Sequence, residues 1–111
     1  MSADPQGRDD AAPVNGQVQV IEGGLRCIAT ICNRRGLHAR AAAKFVKLAG
    51  QFNADVVVAK KGMEVSGLSI MGLMMLAAGT GCTIELRAKG AEAALVLGAL
   101  SNLIETKFDE D

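Results

Sequence analysis

Residues 33–49 read NRRGLHARAAAKFVKLA and contain the only histidine of the chain. Gly36 indicates a turn, and the alanine-rich run after His38 favours a helix because alanine has the highest helix propensity. Four apolar residues recur at helical spacing and predict its buried face: Ala42, Phe45, Val46 and Ala49. The stretch therefore predicts a turn followed by a helix over 39–49, with His38 at the start of the helix.

The segments around this helix predict a mixed fold. Strands are expected at 25–32, 54–60, 63–66 and 82–89. Two further helices are expected at 70–78 and 92–107, the first of them capped by Ser69. The order β-α-β-β-α-β-α, with one strand face polar, predicts an α+β fold. We expect an open-faced two-layer sandwich, in which a four-stranded antiparallel sheet is covered on one face by three helices.

The length of 111 residues fits one domain. Residues 1–24 are polar and lack a period, so we expect a disordered N-terminal extension, a folded domain over 25–108 and an acidic tail over 109–111. Neither a signal peptide nor an apolar run long enough to cross a membrane is seen, which favours the cytoplasm. An odd number of cysteines without framework spacing predicts three free thiols: Cys27, Cys32 and Cys82.

The formal net charge of zero hides an uneven distribution. Residues 25–104 carry ten basic and four acidic side chains, whereas both ends of the chain are acidic. The basic residues concentrate near His38. This pattern predicts a negatively charged ligand or partner surface.

A histidine at a helix start beside Arg40 suits an anion, because the first-turn amides have no intrahelical partner and the helix dipole is positive there. Metal binding lacks further ligands, and hydrolysis lacks a nearby carboxylate. A histidine that accepts a phosphoryl group needs only backbone donors and an arginine, and both are present. From the residues alone, a solvated surface histidine among solvated basic residues remains an equal alternative.

Two motifs of this sequence resemble segments of one protein family. GLHARAAAKFV, residues 36–46, resembles the active-site segment of the HPr family, the histidine-containing phosphocarriers of the bacterial phosphoenolpyruvate phosphotransferase system. SIMGLMMLAAGTG, residues 69–81, resembles the regulatory-serine segment of the same family. The resemblance covers about residues 25–107 and implies a phosphoryl carrier with a phosphohistidine intermediate rather than a stand-alone enzyme.

The resemblance also implies roles for individual residues. His38 would accept a phosphoryl group on Nδ1 from enzyme I and pass it to an EIIA-type protein, with Arg40 contacting the phosphoryl group. Ser69 would be the target of HPr kinase/phosphorylase. Partner docking would use apolar and basic side chains: Ile70, Met71, Met74, Arg40, Lys44 and Lys47. No cofactor, metal, nucleic acid or membrane insertion is implied, and the protein would be a monomer.

One position departs from the sugar-transport members, which usually have proline where this chain has Ala41. Versions without the proline resemble the nitrogen-related NPr branch. Two alternatives from other classes stay open: a binding module for an acidic protein surface that is never phosphorylated, and a small nucleic-acid-binding domain. The predicted sheet offers no aromatic platform for bases, which counts against the second alternative.

Overall fold

A computed structural model describes residues 17–110, so most of the predicted disordered extension lies outside the described residues. The described chain has five strands, three α-helices and one 3₁₀ turn. The strands are β1 Gln19–Ile21, β2 Gly24–Thr30, β3 Asp55–Lys60, β4 Met63–Ser66 and β5 Thr83–Lys89. The helices are α1 Ala39–Ala49, α2 Ile70–Met75 and α3 Ala93–Glu105, and the 3₁₀ turn is Lys107–Asp109.

All strands pair antiparallel, in the order β1-β2-β5-β3-β4. The sheet therefore has one strand more than the four predicted. The additional strand β1 comes from the segment that was expected to be disordered, and it pairs Gln19 with Arg26 and Val20 with Leu25. Gly23, at φ 83°, lets the chain reverse between β1 and β2. A strand of three residues is too short to produce a period in the sequence.

The two faces of the sheet have opposite character, as predicted. Cys27 on β2 and Val58 on β3 both lie opposite Leu86 on β5, and all three are fully buried beneath the helices. The largest buried helix residues are Phe45, Leu73, Leu97, Leu100 and Ile104. Ion pairs cross the outer face, from Arg26 to Glu85 at 2.7 Å and from Arg87 to Glu64 at 2.6 Å. The predicted α+β sandwich with three helices on one face is confirmed.

The C-terminal end of the chain differs from the prediction. The last helix ends at Glu105 instead of residue 107, and three consecutive residues then adopt left-handed backbone, Lys107 at φ 60°, Phe108 at φ 56° and Asp109 at φ 59°. Left-handed backbone costs about 1–2 kcal/mol for each residue that is not glycine. Burial of the Phe108 ring, which has no exposed surface, offsets that cost. We call residues 106–110 the C-terminal clip.

The three cysteines are free thiols, as predicted. Burial raises the pKa of the Cys27 thiol, whose Sγ lies 3.4 Å from Oγ of Ser101. Within residues 17–110, no helix is both long enough and apolar enough to cross a membrane.

Phe108→Ala should lower the free energy of unfolding by about 3 kcal/mol, because it removes a fully buried ring. Leu95→Ala is the matched control on α3, since Leu95 is 61% exposed and its truncation should cost less than about 0.5 kcal/mol. Urea denaturation measures both values. A loss below 1 kcal/mol for Phe108→Ala would show that the ring does not anchor the clip.

Candidate functional site

His38 lies immediately before α1 and is its N-cap residue. Its Nδ1 atom accepts a hydrogen bond from the backbone N–H of Arg40 at 3.3 Å. The imidazole therefore folds back over the first turn of the helix. This places a ring nitrogen at the end of α1 where the helix dipole is positive.

The loop before His38 packs closely against the segment that follows α2. Leu37 N–H donates to the carbonyl of Ala78 at 2.9 Å, and the hydroxyl of Thr80 donates to the carbonyl of Asn33 at 2.6 Å. Gly36 has φ 66°, and a Cβ there would lie 2.5 Å from the Ala78 carbonyl oxygen. Only glycine suits this position, because both the backbone conformation and the space exclude a side chain.

The second ring nitrogen of His38 faces the C-terminal clip. Nε2 lies 2.9 Å from Oε2 and 3.1 Å from Oε1 of Glu110. A carboxylate accepts and a backbone N–H donates, so Nε2 carries the proton and Nδ1 holds the free electron pair. We assign the Nε2–H form of the neutral ring from these two hydrogen bonds.

Glu110 is itself held by neighbouring side chains. The hydrogen bond from His38 holds the pKa of the Glu110 carboxyl below its usual range, and the amide of Asn33 and the positive charge of Lys44 lower that pKa further. Partial burial acts in the opposite direction. The Asn33 amide, with no exposed surface, donates to Glu110 at 3.2 Å and to the carbonyl of Gly36 at 2.9 Å. The carboxylate therefore stays ionised beside the imidazole at neutral pH.

Several donors at the start of α1 are available to an anion. Within residues 17–110, the backbone N–H of the exposed residue Ala39 has no hydrogen-bond partner. The exposed guanidinium of Arg40 likewise contacts no acceptor in the described part of the chain. Ala41 is fully buried, so its backbone N–H is not among these donors, and proline at that position would remove none of them. A phosphoryl group next to Nδ1 would meet backbone and side-chain donors together.

The other basic residues predicted for the site lie in different surroundings. Lys47 is exposed on α1. Lys44 is half-buried, and its ammonium donates to the carbonyl of Phe108, so it ties α1 to the clip. The structure thus brings His38, Lys44 and Glu110 together, although only the first two were predicted site residues.

Ser69 is the N-cap of α2, as its position before the apolar run predicts, and its Oγ accepts from the Gly72 N–H at 2.9 Å. On either side of Ser69, Leu68 and four residues of α2 expose large apolar side chains. We call this surface the methionine patch, and it comprises Leu68, Ile70, Met71, Met74 and Met75. Met71 is 73% exposed, which is unusual for a large apolar side chain on a helix that also packs on a core.

Two polar residues of the site were missed by sequence reasoning. Glu110 was expected in an acidic tail, and Asn33 was counted as part of a turn. Asn33 lies in the loop before His38, three residues from Gly36, whereas Glu110 contacts that loop only because α3 and the clip return the C-terminus to α1, across 72 residues of sequence from His38. The one available signal was Phe108, an apolar ring in an otherwise polar tail.

Comparisons with known proteins identify one family. The family model described as "PTS HPr component phosphorylation site" matches residues 26–106. The phosphocarrier protein NPr of Shewanella violacea is 46% identical over 81 residues, which cover 73% of this chain and 89% of that protein. The phosphocarrier protein HPr of Neisseria meningitidis serogroup A is 51% identical over 80 residues, which cover 72% of this chain and 90% of that protein.

Solved structures identify the same family. The crystal structure of HPr-C-His from Thermoanaerobacter tengcongensis superposes with a TM-score of 0.74 at 40% identity, and it covers 78% of this chain and 97% of that chain. A phosphocarrier protein HPr from Bacillus anthracis superposes with a TM-score of 0.69 at 39% identity, covering 71% and 94% of the two chains. The chain belongs to the HPr family of phosphocarrier proteins of the phosphotransferase system.

Proposed function

We propose that this protein accepts a phosphoryl group on Nδ1 of His38 from enzyme I and passes it to an EIIA-type protein. The observation that carries the proposal is the state of the imidazole. Nδ1 holds a free electron pair at the start of α1, where Ala39, with an unpaired backbone N–H, and the Arg40 guanidinium are exposed. A nucleophile and the donors that stabilise its product are thus adjacent.

The same local geometry suits both the free and the loaded carrier. In the free protein the Arg40 N–H bonds to Nδ1, and at 3.3 Å this bond is long. When Nδ1 takes the phosphoryl group, the Arg40 N–H is released from the nitrogen and can bond to a phosphoryl oxygen, together with the N–H group of Ala39. The helix start therefore supplies donors to the product without rearrangement of the backbone.

We propose that partner proteins dock across α1 and the methionine patch. Helices α1 and α2 pack against each other, so the patch and His38 are carried by neighbouring elements. Flexible methionine side chains adapt to partners of different shape. The exposed cations Arg40 and Lys47 suit an acidic partner surface, and they would accelerate encounters between the proteins. The carrier would act in the cytoplasm. It would be a monomer, because the methionine patch must be open to successive partners.

Incubation with enzyme I and phosphoenolpyruvate tests the proposal. The intact mass at neutral pH should increase by one phosphoryl group, and acid should remove it. His38→Ala should abolish this mass increase. It should lower the free energy of unfolding by at most about 1 kcal/mol, because an N-cap hydrogen bond is lost. Acid-labile phosphate on another residue of the variant would contradict the assignment. A wild-type protein that binds enzyme I but never gains mass would favour the unphosphorylated binding module.

Arg40→Ala should slow phosphoryl transfer from enzyme I about tenfold or more, because a charge-assisted hydrogen bond to phosphate contributes about 1.5–3 kcal/mol. The control is Lys47→Ala, which removes the same charge from the exposed surface of α1 two turns further from His38. Stopped-flow or quench-flow transfer rates compare the two variants. Equal rates for Arg40→Ala and Lys47→Ala would argue against a phosphoryl contact by Arg40.

We further propose that Ser69 is a regulatory phosphorylation site for HPr kinase/phosphorylase. The Ser69 side chain is half-buried and belongs to the helix that bears the methionine patch. A phosphate there would suit the helix dipole, so the fold should tolerate it. The same charge would adjoin an apolar docking surface and an acidic partner. Docking should therefore be weakened by both repulsion and desolvation.

Ser69→Asp should keep the thermal midpoint, because aspartate is also a good N-cap residue. It should raise the apparent KM for transfer from enzyme I, and added salt should reduce the difference by screening the charges. Asn102→Asp, which adds the same charge to an exposed position on α3, is the control. Unfolding of Ser69→Asp would show that Ser69 is structural. An unchanged KM at every salt concentration would place Ser69 outside the docking surface.

A further inference from the structure

The loop between β2 and α1 carries two exposed arginines, Arg34 and Arg35, to which the proposed phosphoryl transfer gives no role. We call them the arginine pair. Residues 1–16, which precede the described residues, carry three aspartates and one arginine. We propose that this N-terminal segment binds the arginine pair through Asp9 and Asp10 and there competes with the acidic surface of enzyme I. The inference rests on the proposed function and adds a regulation of the same site.

Strand β1 fixes the place where the N-terminal segment leaves the fold. β1 is antiparallel to β2, with Gln19 opposite Arg26 and Ile21 opposite Gly24. The beginning of β1 therefore points towards Thr30, the end of β2, and β2 continues from there into the loop that carries the arginine pair. The N-terminal segment thus departs from the end of the sheet that lies beside this loop, and not from the end where β1 turns into β2.

The N-terminal segment is long enough to reach the arginine pair. Continued by two residues, the pairing of β1 with β2 would bring Gln17 level with Ile28. The six residues from Ile28 to Arg34 span at most about 20 Å, at roughly 3.3 Å for each residue. The seven residues from Gln17 back to Asp10 span about 23 Å when extended. The reach of Asp10 therefore includes the whole loop.

The charges at this end of the sheet favour the contact. Among residues 17–110, carboxylates form ion pairs with Arg26, His38 and Arg87, and no carboxylate is paired with Arg35. The positive end of the α1 dipole lies close to the same loop. An acidic segment that leaves the sheet here therefore meets positive potential.

The strength of the contact follows from its chemistry. Residues 9–16 carry two negative charges and no positive charge. Each exposed ion pair stabilises little alone. Attachment to β1 holds the two aspartates near the arginine pair at an effective concentration of about millimolar. The contact is therefore intramolecular, weak and sensitive to salt, so an acidic partner protein can displace the N-terminal segment.

Occupation of the arginine pair affects docking and leaves the chemical step unchanged. The contact involves neither Nδ1 of His38 nor the guanidinium of Arg40, which the proposed transfer requires. Enzyme I must displace the N-terminal segment before it docks on this loop. Its apparent affinity is therefore reduced by the fraction of molecules in which the segment is bound.

Neutralisation of the two aspartates tests the effect on docking. In the full chain, Asp9→Asn/Asp10→Asn should lower the apparent KM for enzyme I about two- to fourfold at low salt, with an unchanged maximal rate. In about 0.5 M sodium chloride the variant should match the wild type, because salt screens exposed charges. The matched control is Glu22→Gln/Asp55→Asn, which removes the same charge from exposed residues at the opposite end of the sheet.

A double-mutant cycle tests whether the aspartates act through the arginine pair. With Arg34→Gln/Arg35→Gln as the background, Asp9→Asn/Asp10→Asn should change the KM by less than about 1.5-fold, because the groups that the aspartates bind are gone. A full two- to fourfold decrease in this background would overturn the inference, since the aspartates would then act elsewhere.

NMR detects the contact without enzyme I. At low salt, Asp9→Asn/Asp10→Asn should shift the backbone amide resonances of Arg35 and Gly36, and the resonance of Met71 in the methionine patch should stay in place. Added salt should move the wild-type resonances towards those of the variant. The shifts should be independent of protein concentration, because the segment and the loop belong to one molecule.

Several results would overturn the inference. They are a KM that neither substitution of the aspartates nor salt distinguishes from the control, amide shifts confined to the methionine patch, and shifts that appear only as the protein concentration rises. The last result would assign the segment to a second copy of the chain. If the wild-type protein accepts no phosphate, the proposed function fails, and the NMR shifts still decide whether the N-terminal segment binds the arginine pair.

Discussion

The imidazole of His38 is restrained at both of its nitrogens, and the two restraints come from different parts of the fold. One is local, since Nδ1 bonds to the backbone of Arg40 two residues away. The other is remote, since Nε2 bonds to Glu110 at the end of the chain. The second restraint exists only if the sheet, α1 and α3 are assembled, because they bring the C-terminus to the start of α1. The chemical state of the ring thus depends on the complete tertiary structure.

That dependence has an energetic consequence. Three left-handed residues in succession are unfavourable and would not persist in an isolated peptide. Burial of Phe108 holds them in place, and the hydrogen bonds from Lys44 and Asn33 then direct the last residues of the clip. Burial of Phe108 thus stabilises the backbone conformation that places the Glu110 carboxylate beside His38. The strain lies beside the candidate site, and strained backbone is commonly found at functional sites in proteins.

The elements that could be predicted from the sequence are those with strong local signals. Helix α1 has the predicted bounds because alanine, the periodic apolar face and the terminal glycine all agree. Ser69 caps α2 as expected from a single polar residue before an apolar run. Strand β1 could not be predicted, because its three residues pair only with a neighbour whose position depends on the rest of the sheet. The clip could not be predicted either, since its left-handed residues are lysine, phenylalanine and aspartate rather than glycine.

The candidate site likewise has one part that the sequence predicts and another part that only the structure shows. His38, Arg40 and the helix that follows His38 span twelve residues, 38–49, so a short motif is enough to identify them. The groups around the imidazole are Glu110, which bonds to Nε2, and Asn33, which bonds to Glu110, and their residue types alone do not indicate a site. Their contact joins the two ends of the domain and is created by the hydrophobic packing of Phe108. A short motif therefore identifies His38 and Arg40, whereas the contact between Glu110 and the imidazole follows only from the packing of Phe108 in the core.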